Sequence, residues 1–137
     1  MKALEIDDTL AEAHASLAFV KTYYEWDWSG AENEYRRAIE LNSGVERTHG
    51  IFGTTLALLG RFEEGIAEEK RALVLDPVSP GTNWGVGYVF FVARQYDQAI
   101  EQLRKTEELD PNFVQAHVTL GWAYVEKSLY RDGVVEA

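Results

Sequence analysis

Ala72-Leu73-Val74-Leu75-Asp76-Pro77 is a phrase that the chain uses four times. It returns as Ala3-Leu4-Glu5-Ile6-Asp7, as Ala38-Ile39-Glu40-Leu41-Asn42 and as Thr106-Glu107-Glu108-Leu109-Asp110-Pro111. The first residues stand at 3, 38, 72 and 106, so the steps are 35, 34 and 34. A second phrase lies between these. Gly60-Arg61-Phe62-Glu63-Glu64-Gly65-Ile66 is answered 34 residues later by Arg94-Gln95-Tyr96-Asp97-Gln98-Ala99-Ile100. Two independent phrases on one period mark a repeat array.

Each period reads as two helices. Apolar residues recur at steps of three and four, as in Leu17, Val20 and Tyr24, or Ile66 with Ala72 and Leu73. Thr9 with Glu12, Ser29 with Glu32, and Ser43 with Glu46 have the spacing in which a hydroxyl and a carboxylate cap a helix start. Ser79-Pro80 fits a cap followed by proline at the first helical position. Gly60 suits the left-handed turn that ends one helix, and Pro77 and Pro111 disfavour helix at the residue before them. The pattern predicts helices near 9–25, 29–41, 45–59, 62–75, 79–93, 96–109 and 113–128, then a stub from about 131. Glu32 with Arg36, Glu101 with Lys105 and Arg104 with Glu108 add surface pairs one turn apart.

The 137 residues carry 13 Lys and Arg against 23 Asp and Glu, a net charge of −10. That excess of acid argues against a broad phosphate-binding face, so neither nucleic acid nor a membrane surface is expected as a partner. A hydrophobic share of 46% with 26% charged residues belongs to a folded chain. Cysteine is absent, which excludes disulfides, zinc–thiolate sites and a catalytic thiol. The most apolar run, Val86 to Ala93, is far shorter than the roughly 20 residues of a membrane span. No targeting segment is legible at the N-terminus, and a cytoplasmic location is expected.

A helix–turn–helix unit of 34 residues with small residues where the helices cross and Pro at its end resembles the tetratricopeptide repeat. Leu17, Ala18, Ala31, Tyr35 and Ala38 carry the match in the first unit, and Gly53, Gly60, Ala72 and Pro77 in the second. In the third they are Gly87, Tyr96, Ala99 and Pro111; in the last, Leu120, Gly121 and Tyr124, with Tyr130 opening the next helix. The resemblance implies an all-α right-handed solenoid of antiparallel helix pairs. Its units would be 11–43, 46–77, 80–111 and a partial 114–137, with residues 2–8 the tail of a preceding unit. Such a chain reads as part of a longer array. Departures are visible: one extra residue between Leu17 and Ala31, which should widen that turn, Ser43 for the closing Pro, Gly65 for Ala, and Arg94 for the turn glycine. The stretch Glu25-Trp26-Asp27-Trp28-Ser29-Gly30-Ala31-Glu32 is similar to segments of large bacterial signalling proteins, in which the repeats follow a kinase or a winged-helix domain.

Catalytic chemistry finds little purchase. His14, His49 and His117 share a slot early in the first helix of a unit, but neighbouring repeats stand on the order of 10 Å apart. One ion cannot bridge that gap with bonds of about 2 Å, so these histidines read as structural and no metal is expected. Glu63-Glu64, Glu68-Glu69 and Glu107-Glu108 lie on second helices and read as a solvated acidic face. Gly81, Gly85 and Gly87 follow no strand, so they do not form a dinucleotide loop and read as close helix packing. No cofactor and no enzymatic activity are expected.

The aromatics are the most informative residues. In the resembled fold the first helices line a concave groove. Register places Phe19 and Tyr23 there from the first unit, and Arg47, Thr54 and Leu58 from the second. Trp84, Tyr88 and Phe91 follow from the third, and Trp122 and Glu126 from the last. Relatives that clamp a C-terminal carboxylate use Lys, Arg and Asn in these slots, whereas here only Arg47 is basic. The expected partner is therefore an apolar peptide or helix, with basic flanks suited to the acidic rim. Val118, Leu120, Trp122, Tyr124 and Val125 on the last complete helix suggest self-association as well.

Overall fold

The structure, a computed structural model, describes the backbone of residues 2–136 and the side chains of residues 7–131. It contains α1 (Lys2–Tyr23), α2 (Trp28–Leu41), α3 (Glu46–Leu58), α4 (Phe62–Leu75), α5 (Pro80–Val92), α6 (Tyr96–Leu109) and α7 (Val114–Glu136). No strand occurs among the described residues. The helices pair as α1 with α2, α3 with α4 and α5 with α6, and α7 packs on α6. The odd-numbered helices also touch one another in series, α1 to α3, α3 to α5 and α5 to α7, while among the described residues the backbones of the even-numbered helices stay apart. The odd helices are thus the crowded layer.

The turn inside each pair repeats as strictly as the sequence does. Trp26 (φ 57°), Gly60 (φ 84°) and Arg94 (φ 63°) are left-handed, 34 residues apart each time. Glycine takes that conformation freely, and the other two residues carry a cost of about 1 kcal/mol each. After Gly60 and Arg94 the next amide reaches back five residues, Arg61 N to Leu56 O and Gln95 N to Phe90 O, both at 2.9 Å. In the first unit Asp27 N reaches back six, to Lys21 O at 2.9 Å. The extra residue sits in this wider turn.

Several helix starts differ from the sequence reading. Thr9 lies inside α1, because Asp8 stands where Pro77 and Pro111 end their helices and nothing breaks the chain there. Residues 2–8 accordingly continue into α1 instead of forming a separate tail. At the other end Ser128 occupies the turn slot, 34 after Arg94, yet the helix runs through it to Glu136. A left-handed serine is costly and no proline intervenes. Asp27, not Ser29, caps α2: its Oδ1 accepts from Gly30 N at 3.0 Å. Val45 precedes α3 without any side-chain cap, so Ser43 does not serve there either. Ser79 does cap α5, accepting from Thr82 N at 3.3 Å ahead of Pro80. Asp27→Ala should therefore lower stability by about 1 kcal/mol, and Ser29→Ala by far less, in paired denaturant titrations. Equal losses would return the cap to Ser29.

Small residues fill the helix crossings. Ala18, Ala31, Ala38, Ala72, Ala99, Ala116 and Ala123 are all buried. Gly53 and Gly65 bring α3 and α4 together so closely that a Cβ on Gly65 would lie 2.6 Å from Gly53 O. The apolar core is divided. One cluster gathers Ala18, Ala31, Tyr35, Phe52 and Leu56. The other gathers Ala99, Ile100, Leu103, Ala116, Leu120 and Ala123, with Trp84, Phe90, Phe91 and Phe113 against it. Arg61, just ahead of α4, donates to Glu32 of α2 and to Glu64 of α4, tying the first two units together. The Arg61 guanidinium holds the Glu32 carboxyl below its ordinary range.

Candidate functional site

Two of the three histidines hold the linkers between units. His49 Nε2 stands 2.8 Å from Ser43 O, and His117 Nε2 stands 2.5 Å from Pro111 O. Asn83, in the same slot of the third unit, donates from Nδ2 to Pro77 O at 2.9 Å. Each side chain thus holds a linker carbonyl six residues earlier, on the period of the repeat. The other end of the ring or amide meets an acid or amide. His49 Nδ1 lies 2.6 Å from Glu68 Oε2, His117 Nδ1 2.6 Å from Glu107 Oε1, and Gln102 Nε2 donates to Asn83 Oδ1 at 2.8 Å. His14 pairs likewise with Glu34. Among the described residues no group of three His, Asp or Glu is placed to hold a metal ion.

The residues assigned to the groove fall into two connected parts. Tyr23, Arg47, Thr54 and Trp84 line one cavity of about 470 Å³ between α1, α3 and α5. Phe19 and Arg47 line a second, of about 570 Å³, with Val20 and Ile51. Phe19 and Tyr23 are exposed and pack on each other, ring centres 4.6 Å apart. Further along, Trp84 stacks on Tyr88 at 5.1 Å, and Phe91 meets Trp122 at 6.2 Å. Trp122 is 54% exposed, whereas Trp84, Tyr88 and Phe91 are half-buried. Trp84 is anchored: its Nε1 donates to Thr119 Oγ1 on α7 at 3.1 Å. Leu58 and Glu126 are exposed.

Two residues in this region contradict the sequence reading. Glu68 and Glu69 are buried, at 6% and 1% exposure, and are not part of a solvated face. Glu68 faces His49. Glu69 reaches the floor of the first cavity, where its Oε1 accepts from Thr54 Oγ1 at 2.8 Å. Burial pushes its carboxyl up to about 8. The signal was present in the repeat register. Glu69 stands 34 after Tyr35 and 34 before Leu103, two of the most deeply buried side chains. By contrast Glu63, Glu64 and Glu108 are exposed, as expected of them.

No protein-family model matches the chain. Among curated proteins it is similar to the small glutamine-rich tetratricopeptide repeat-containing protein 2 of Mycosarcoma maydis, 27% identical over 86 residues. That match takes in 63% of this chain and 24% of the relative. Over 129 residues it is 24% identical to the transcriptional regulator HilA of Salmonella typhimurium, covering 93% of this chain and 23% of HilA. The chain therefore spans about a quarter of the length of these relatives. Among solved structures, the first tetratricopeptide domain of Spaghetti (RPAP3), bound to the HSP90 peptide SRMEEVD, superposes with a TM-score of 0.78. The likeness covers 88% of this chain and 95% of that domain at 13% identity. The fold is the tetratricopeptide repeat. The odd-numbered helices, the crowded layer, carry Phe19, Tyr23, Arg47, Trp84 and Trp122, and the buried Glu69 reaches the first cavity from α4.

Proposed function

We propose that the chain is a protein–protein interaction module that binds a peptide or a helix in its aromatic-lined groove, without catalysis of its own. The observation that carries this reading is the placement of Tyr23, Arg47 and Trp84 around one open cavity between α1, α3 and α5, with Trp122 exposed beyond it. Exposed aromatic rings on a rigid helical scaffold are frequent anchors of binding energy. The solved relative with an HSP90 peptide supports the mode of use. Its ligand chemistry is another matter, because Arg47 is the one basic residue among the groove positions. An apolar segment with basic flanks suits an acidic chain of charge −10.

The test is a peptide selected on the chain from a random library, then calorimetry on variants. Trp122→Ala should weaken binding about tenfold or more and leave the melting temperature nearly unchanged. Trp84→Ala should weaken binding and also cost stability, since its indole is tied to Thr119. Unchanged affinity in both variants would remove the groove from the account.

A second reading rests on the HilA match, which runs over 93% of this chain. In that reading the array is the regulatory or oligomerisation segment of a larger bacterial signalling protein. Val114, Val118, Trp122, Val125 and Leu129 form an exposed apolar stripe along α7, at steps of three and four residues. We propose that this stripe supports self-association. Sedimentation should show dimers that grow with concentration and are lost in Val118→Glu; a monomer throughout would refute it.

A further inference from the structure

Deepening the groove reading, on which it rests, we propose that the Glu69 cavity is a subsite for one positively charged side chain of the bound segment, a lysine ammonium or an arginine guanidinium. Three departures from the repeat meet at this point. The slot that holds Tyr35 and Leu103 in the neighbouring units holds Glu69 here. The facing slot on the next first helix, Ile51 and Thr119 in its neighbours, is Gly85. The slot of Trp84 and Val118 is Gly50 in the second unit. A Cβ on Gly85 would lie 2.5 Å from Glu69 Oε2, and one on Gly50 would lie 3.7 Å from it. Side chains have been removed where the carboxyl needs room.

The chemistry of the carboxyl specifies what it lacks. Oε1 is satisfied by Thr54, but Oε2 receives no hydrogen bond from the described residues. A buried carboxyl with an empty acceptor position gains from a donor, and gains most from one that carries the opposite charge. Tyr23 and Trp84 line the cavity with aromatic surface, to which cations are attracted. The titratable groups lining it are Tyr23 from α1 and Glu46 and Arg47 from α3; α5 contributes none. Arg47 is exposed at the rim and repels a second cation, so its removal should favour binding.

The probe is n-butylammonium chloride, titrated against the full chain while the Trp84 indole N–H is followed by NMR. Sodium butyrate and 1-butanol at matched ionic strength are the controls. Saturable binding in the millimolar range is expected for the cation alone. Burial holds the carboxyl protonated up to about pH 8, while an alkylammonium stays charged to about pH 10. Affinity should therefore rise at least tenfold between pH 6.5 and pH 8.5, and binding at pH 7 should release close to one proton. Glu69→Gln should abolish the saturable shift, and Arg47→Ala should tighten binding severalfold. Equal binding of butyrate, an unchanged Glu69→Gln titration or no saturable shift would overturn the proposal. A selected peptide that binds the groove while butylammonium does not would sink this inference alone. Butylammonium binding with no loss of peptide affinity in the tryptophan variants would sink the groove reading instead.

Discussion

Glu69→Gln should raise the melting temperature, and the gain should grow with pH. In the unfolded chain this carboxyl ionises near 4.5; in the fold, burial holds it protonated to about 8. Between those values the folded state keeps a proton that the unfolded state has lost. Stability is therefore greatest below about pH 4.5 and falls as pH rises through about 8. Glutamine keeps an acceptor for Thr54 and cannot ionise, so it escapes that loss. The difference should be small at pH 4.5 and reach at most about 5 kcal/mol above pH 8, on the order of 10 °C in melting temperature for a chain of this size. Thermal melts of both proteins from pH 4.5 to 9 provide the comparison. A gap that does not change with pH would mean that the carboxyl reaches solvent.

Gly65→Ala should destabilise the chain, against the rule for helix interiors. Propensity alone favours alanine over glycine by about 1 kcal/mol. Here a Cβ would fall 2.6 Å from Gly53 O and 3.0 Å from Ala57 N, both backbone atoms of α3. Backbone cannot swing aside as a side chain can, so α3 and α4 must separate. A net loss of about 2 to 3 kcal/mol is expected. Gly121 is the control: it lies in α7, and apart from its own stretch of helix no heavy atom lies within 4 Å of its Cβ position. Gly121→Ala should gain about 1 kcal/mol. If both substitutions stabilise, the close crossing is wrong.

These two residues show where sequence reasoning held and where it stopped. The period, the helix pairs and the buried alanines follow from spacing alone, because every unit solves the same packing problem. Gly65 was visible as a departure, but its sign was not, since propensity is local and the clash comes from Gly53, twelve residues away. Caps were the weakest reading. Ser29 and Ser43 have the right spacing to a glutamate, yet Asp27 takes the first position and Val45 the second, because the preceding turns set where each helix begins. Glu69 was hidden by its company. Paired glutamates on a helix usually face water, and only laying Tyr35, Glu69 and Leu103 in one column shows that this one occupies a core slot. Register placed Trp84 on a first helix, but its bond to Thr119 was not legible, because it joins α5 to α7 across 35 residues.

The four tryptophan indoles offer the most direct test of the groove. Trp84 and Trp122 lie on α5 and α7, whereas Trp26 and Trp28 pack edge to face at the first turn, ring centres 5.7 Å apart. In a ¹⁵N correlation spectrum each gives one side-chain N–H signal. Titration with a library-selected peptide should move the Trp84 and Trp122 signals and leave Trp26 and Trp28 in place. Movement of Trp26 and Trp28 alone, with Trp84 and Trp122 still, would contradict the account.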